Sequence, residues 1–207
     1  MICKMRTPLF FVMLMLLMFI PHAFAQTASC DYQPSIPETA EEREEAVRRQ
    51  RYRERLSMYQ AMLPNTPTAQ LLMPVAGVRV TQVADTWGAP RGAGRFHEGQ
   101  DIFAPRGTLV YAAAPGYIYR IGTGNLGGRY VFIAGAGGRR YYYAHLESWA
   151  DIEEGTYVTT DTVLGFVGNS GNAVTTPPHL HFGVYSGSRR TCNREVIDPL
   201  PLLVDRW

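Results

Sequence analysis

Beyond Gln70 no stretch of useful length carries apolar residues at helical spacing, and this absence most restricts the fold. In its place stand short runs rich in aromatic and β-branched residues: VRVTQV, TLVYAAA, YIYRI, RYVFIA, RRYYYAH, TVLGFV and HLHFGVYS. Successive side chains of a strand point to opposite faces, so such runs suit a sheet with one buried face. Gly-rich or Pro-Gly turns separate them, and GAGG at residues 135–138 joins two runs as a hairpin. A parallel α/β sheet needs crossover helices, which this region lacks. The pattern therefore predicts a mainly β domain over residues 71–207, with antiparallel sheets packed as a sandwich.

Residues 37–63, PETAEEREEAVRRQRYRERLSMYQAML, are dense in strong helix formers. Glu44 with Arg48 and Glu45 with Arg49 stand at the favourable four-residue spacing. One long helix is predicted, with Val47, Tyr52, Leu56, Tyr59 and Leu63 as its narrow apolar stripe. The stripe is denser toward the C-terminal end, so that half should pack and the charged half should face water. The surface it packs on is either its own domain or a partner. PNTPT at residues 64–68 ends the helix, so residues 26–70 read as a helical arm and linker.

Residues 1–25 have the three parts of a secretory signal: basic Lys4 and Arg6, an apolar run, and the small-residue site Ala23-Phe24-Ala25. The apolar run ends at Pro21 and is too short to span a bilayer, so no integral membrane segment is expected after cleavage. Removing Lys4 and Arg6 from the 20 basic residues leaves 18, against 18 acidic ones. A mature chain of zero formal charge gives no electrostatic reason to bind nucleic acid. Export places Cys30 and Cys192 in an oxidising setting, where they form one disulfide or, since TASC sets small residues before Cys30, that cysteine carries lipid.

Four histidines remain outside the signal: His97, His145, His179 and His181. His179 and His181, two apart in a strand, share a face and can aim at one point. His97 precedes Asp101 by four residues in a loop that runs into a strand, and His145 closes RRYYYAH, where Tyr141 and Tyr143 share its face. Two His and one Asp make a full protein ligand set for a catalytic zinc with one open position, and two histidines are then left to handle protons.

The segments GRFHEGQDIFAPRGTLVYAAAPG, YYYAHL and GNSGNAVTTPPHLHFGVY resemble the signature blocks of the LytM/lysostaphin-type zinc endopeptidases, which cut peptide cross-links of bacterial cell walls. The resemblance implies that His97, Asp101 and His181 bind one zinc ion and that His145 and His179 are the catalytic pair. His179 is assigned the base and His145 the oxyanion role, with their order open. Tyr141, Tyr143 and the GNSGN loop are expected to line the groove. Gln100 stands where the family has an aliphatic residue, a change expected to touch strand packing more than chemistry. The implied substrate is the stem peptides of peptidoglycan; export without an added wall-binding repeat suits the periplasm, with a secreted chain or an outer-membrane lipoprotein through Cys30 as alternatives, and the helix offers a surface for a divisome or wall-hydrolase partner. The alternatives are a non-catalytic activator of another wall hydrolase and a secreted protein-degrading protease of the same fold. No ligand is missing from the set, which favours the enzyme.

Overall fold

The computed structural model describes residues 36–92, 94–188 and 191–206. The expected signal segment and Cys30 lie outside these residues. Among the described residues one α-helix, α1 (Ala40–Met62), precedes eleven strands. They are β1 (Leu71–Leu72), β2 (Gln100–Phe103), β3 (Leu109–Tyr111), β4 (Gly116–Gly124), β5 (Gly128–Gly135), β6 (Arg140–Trp149), β7 (Tyr157–Val158), β8 (Val163–Val167), β9 (His179–Ser186), β10 (Glu195–Ile197) and β11 (Leu203–Val204). The class is the predicted one, mainly β with a single N-terminal helix and antiparallel pairing. No helix among the described residues is long and apolar enough to cross a membrane.

Thr39 caps α1 by accepting from the Glu42 amide, and the Glu42 carboxylate accepts in return from the Thr39 amide. This reciprocal pair satisfies amides that the first helical turn leaves without partners. The apolar stripe is used only at its C-terminal end. Tyr59 is buried against Tyr119 and Ala134, with Leu56 and Leu63 beside it, whereas Val47 is 52 % exposed. Tyr59 stacks on Tyr117 at 4.7 Å, and Arg55 ion-pairs with Glu154. The helix docks on its own domain.

Nine strands form one sheet, in the order β10-β9-β6-β5-β4-β7 with β2, β3 and β8 attached to its strands. Its exception to antiparallel pairing lies outside it: β1 and β11 pair parallel, Leu71 against Leu203. The core gathers Ile102, Ile133, Tyr141, Tyr143, Leu164, Leu180 and Phe182, all without solvent exposure. The GAGG turn joins β5 to β6 as expected, with Gly137 at φ 66° supplying the left-handed residue. VRVTQV differs from expectation. It finds no strand to pair with; Val78, Val80 and Val83 pack on the core while Val80–Gln82 closes a 3-10 turn whose N-terminal amide is held by Asp205.

β6 carries the main irregularity. Residues 140–144 pair with β9, and residues 146–149 pair with β8. Between the two lies His145 with φ 62°, a left-handed conformation uncommon outside glycine. The strand changes neighbours there, and the imidazole emerges at the fork.

Candidate metal centre and active site

β9 runs between β2 and β6, so Asp101, His181 and Ala144 lie side by side across three strands. Alternation sends Leu180 into the core and leaves His179 and His181 on one face. His97 arrives from the preceding loop, its backbone bonded to Gly88 and Ala89. Gly99 permits the close approach, because a Cβ there would stand 2.8 Å from the His181 ring and 2.6 Å from the Phe182 carbonyl oxygen.

The three side chains converge. His97 Nε2 lies 2.9 Å from His181 Nδ1 and 3.1 Å from Asp101 Oδ1, and His181 Nδ1 lies 3.1 Å from the same oxygen. Ligand atoms about 2.0–2.1 Å from a tetrahedral ion stand roughly 3.3 Å apart, so this triangle needs only a slight expansion to hold zinc. Among the described residues, no other group of three or more such side chains could hold a metal ion.

Three of the four imidazoles are each held by a backbone carbonyl. His97 Nδ1–H donates to Thr86 O (2.7 Å), His145 Nδ1–H to Ser170 O (2.8 Å) and His179 Nδ1–H to Pro177 O (2.9 Å). A ring whose Nδ1 proton is engaged presents a bare Nε2, which suits a ligand at His97 and a proton acceptor at His145 and His179. His179 Nε2 lies 3.8 Å from Asp101 Oδ1, and the His145 and His179 ring centroids are 5.0 Å apart.

Electrostatics favour the same protonation states. Burial pushes the His145 imidazole down to about 4, against a weaker upward pull from its bond to Ser170. Burial likewise lowers His181, more than the neighbouring Asp101 carboxylate raises it. Burial alone would raise Asp101, but hydrogen bonds and charge from His181 and His97 outweigh it and hold the carboxyl well below its usual range. The result is a neutral His145 and a neutral His181 beside an ionised Asp101.

Two groups escaped the sequence. Arg91 Nη2 donates to Asp101 Oδ2 at 2.6 Å, leaving Oδ1 for the metal position. Thr86 supplies the carbonyl that orients His97, and its hydroxyl accepts from the Asp101 amide. Neither residue carries a spacing or type that marks it.

Four expectations need correction. Tyr141 and Tyr143 do not line the groove; both are fully buried, and the Tyr143 hydroxyl accepts from the Ala113 amide. The φ of His145 breaks the alternation, so His145 does not share their face, and it is Tyr142 that meets His181, edge-on at 5.7 Å. Gln100 does more than pack. Fully buried, it accepts from the Thr86 amide and hydroxyl and donates to Asp85, fixing the residue that orients His97. The GNSGN loop acts chiefly as a support, Ser170 receiving His145 and Gly168 O receiving the His179 amide.

Residues 95–199 match the sequence profile of Peptidase family M23. The chain is 39 % identical over 126 residues to the L-Ala--D-Glu endopeptidase of Bacillus subtilis, covering 57 % of this chain and 38 % of the relative. It is 38 % identical over 106 residues to the DD-carboxypeptidase/endopeptidase Mpg of Neisseria meningitidis, covering 51 % and 22 %. It thus spans well under half the length of these curated relatives. Among solved structures, the catalytic domain of the antimicrobial peptidase lysostaphin from Staphylococcus simulans superposes with a TM-score of 0.50 at 32 % identity, over 59 % of this chain and 92 % of that one.

Proposed function

The chain belongs to peptidase family M23, and from that membership we propose that it is a zinc-dependent endopeptidase hydrolysing the peptide cross-links of bacterial peptidoglycan. The observation that carries this reading is the triangle of His97, Asp101 and His181 with two further imidazoles beside it, each with a bare Nε2. Zinc, when bound, would supply a Lewis acid and lower the pKa of a water toward about 7.

The chain's own residues hold the ligands and move protons. His179 acts as the general base, accepting at Nε2 and passing that proton to the leaving amine. His145 is the second imidazole at the reacting position, 5.0 Å from His179 between ring centroids, and takes the oxyanion role. Arg91 keeps Asp101 turned so that one oxygen faces the ligand histidines.

Residues 1–25 direct export in this reading, and the site of action is the periplasm. A Cys30–Cys192 disulfide ties the arm to the catalytic domain; Cys192 in its disulfide-bonded state supports it. The exposed N-terminal half of α1 is the surface for a divisome or wall-hydrolase partner.

Digestion of purified cross-linked peptidoglycan, with and without chelator, tests the proposal through the masses of the released muropeptides. Monomers with intact stems, released only without chelator, are expected. Casein cleavage with untouched wall would assign a protein-degrading protease, and bound zinc without either activity would assign an activator.

A further inference from the structure

Between α1 and the sheet lie two adjoining cavities of about 370 and 200 Å³, both walled by Arg53, Leu56 and Arg140. Arg49, Tyr52, Tyr119 and Arg120 complete the smaller one, and among the described residues no Asp or Glu lines either. Among the described residues, Arg53, Arg120 and Arg140 have no carboxylate within ion-pairing reach. The nearby Glu154 is already engaged by Arg55 and by the Ile121 amide.

The three guanidinium groups are only partly satisfied. Arg53 bonds to Gln50 within its own helix, Arg120 lies over the Tyr52 ring at 4.7 Å, and Arg140 Nη2 donates to the carbonyls of Ser186 and Gly187. Among the described residues, Arg120 Nε and Arg140 Nε are buried without a hydrogen-bond partner. Buried donors are almost always paired, and guanidinium groups stay charged at any physiological pH, so a shared cleft without a counter-charge is costly. An oxyanion relieves both the repulsion and the missing acceptors.

We propose that this cleft binds an oxyanion, a carboxylate or phosphate group, which bridges Arg53 on α1 to Arg120 and Arg140 on the sheet. It is separate from the metal centre: Arg140 pairs with Tyr185, four residues along β9 from His181, or about 13 Å. The inference does not rest on the hydrolytic reading. An anion here would tie the arm to the domain.

Calorimetric titration of the protein with inorganic phosphate, and separately with the dipeptide L-Ala-D-Glu, tests it at constant ionic strength with chelator present to keep anions from any metal. Saturable binding of at least one is expected, weakened about tenfold by Arg53→Gln and by Arg140→Gln. Among the described residues Arg53 bonds to Gln50 of its own helix alone, so that variant keeps the fold. Phosphate binding alone assigns a phosphate-bearing ligand such as a lipid headgroup, and dipeptide binding alone assigns an acidic peptide. No saturable binding of either, or affinity unchanged in both variants, overturns the site.

Discussion

Three carbonyl oxygens, those of Thr86, Ser170 and Pro177, decide what the imidazoles can do, because each consumes one ring proton and leaves the opposite nitrogen bare. Asp101→Ala and His181→Ala should therefore lose zinc and activity together, whereas His145→Ala and His179→Ala should keep zinc and lose about 10²-fold or more in kcat. Metal analysis beside turnover separates the two classes, and loss of zinc from the second class would undo the division. Gln100→Leu leaves the Thr86 amide and Asp85 without their buried partner, at a cost of about 1–3 kcal/mol. It should also loosen zinc, read by chelator competition; unchanged affinity would show that Thr86 is held without Gln100. His145 provides a pH test. Its folded value of about 4 lies below the ordinary 6.5, so between these values the unfolded chain binds more protons. Its contribution to stability is complete above pH 6.5 and is lost as the pH falls toward 4. Urea unfolding of the metal-free protein should show this slope, reduced in His145→Gln; equal slopes would place His145 in an environment that does not disfavour its charge.

At the scale of elements, the fork in β6 builds the site. Had residues 140–149 paired with one neighbour throughout, alternation would have carried His145 to the buried face with Tyr141 and Tyr143. The positive φ instead turns the ring toward His179, and the break between β9 and β8 gives it room. RRYYYAH reads as a strand ending in histidine, but the run itself does not announce a reversal of face, which depends on β8 and β9 sharing one edge of β6. The helix was more legible: its charge spacing, its stripe and the packing of its C-terminal half follow from residue type. Tyr59 carries much of that packing. Tyr59→Ala should destabilise by about 2 kcal/mol in thermal or chemical unfolding, through lost burial and stacking on Tyr117, while leaving zinc content unchanged. A loss of metal in this variant would mean that the arm and the site are coupled.

Over the whole molecule, the ends of the β domain are drawn together. β1 pairs with β11, and the Arg206 guanidinium donates to the carbonyls of Met73, Ala112 and Thr160. A disulfide between Cys30 and Cys192 would add a tie from the arm, worth a few kcal/mol in the chain-entropy model. Cys30→Ser should then lower the melting temperature without removing zinc. A melting temperature that does not move, or a mature N-terminus at Cys30 with added acyl mass, would rule against the tie. The resemblance of the chain's histidine blocks to a known family grouped the five side chains that the structure brings together; residue types and short spacings by themselves determined the mainly β class, the helical arm and the common face of His179 and His181. These follow from local physics, since strand alternation aligns His179 with His181 and helix spacing sets the stripe. Only the tertiary structure decided that Tyr142 rather than Tyr141 or Tyr143 meets the site, that Arg91 holds Asp101, and that Thr86, Ser170 and Pro177 orient the rings. Three of those contacts are made by backbone carbonyls, which every residue possesses, so nothing in residue identity could mark them before the chain had folded.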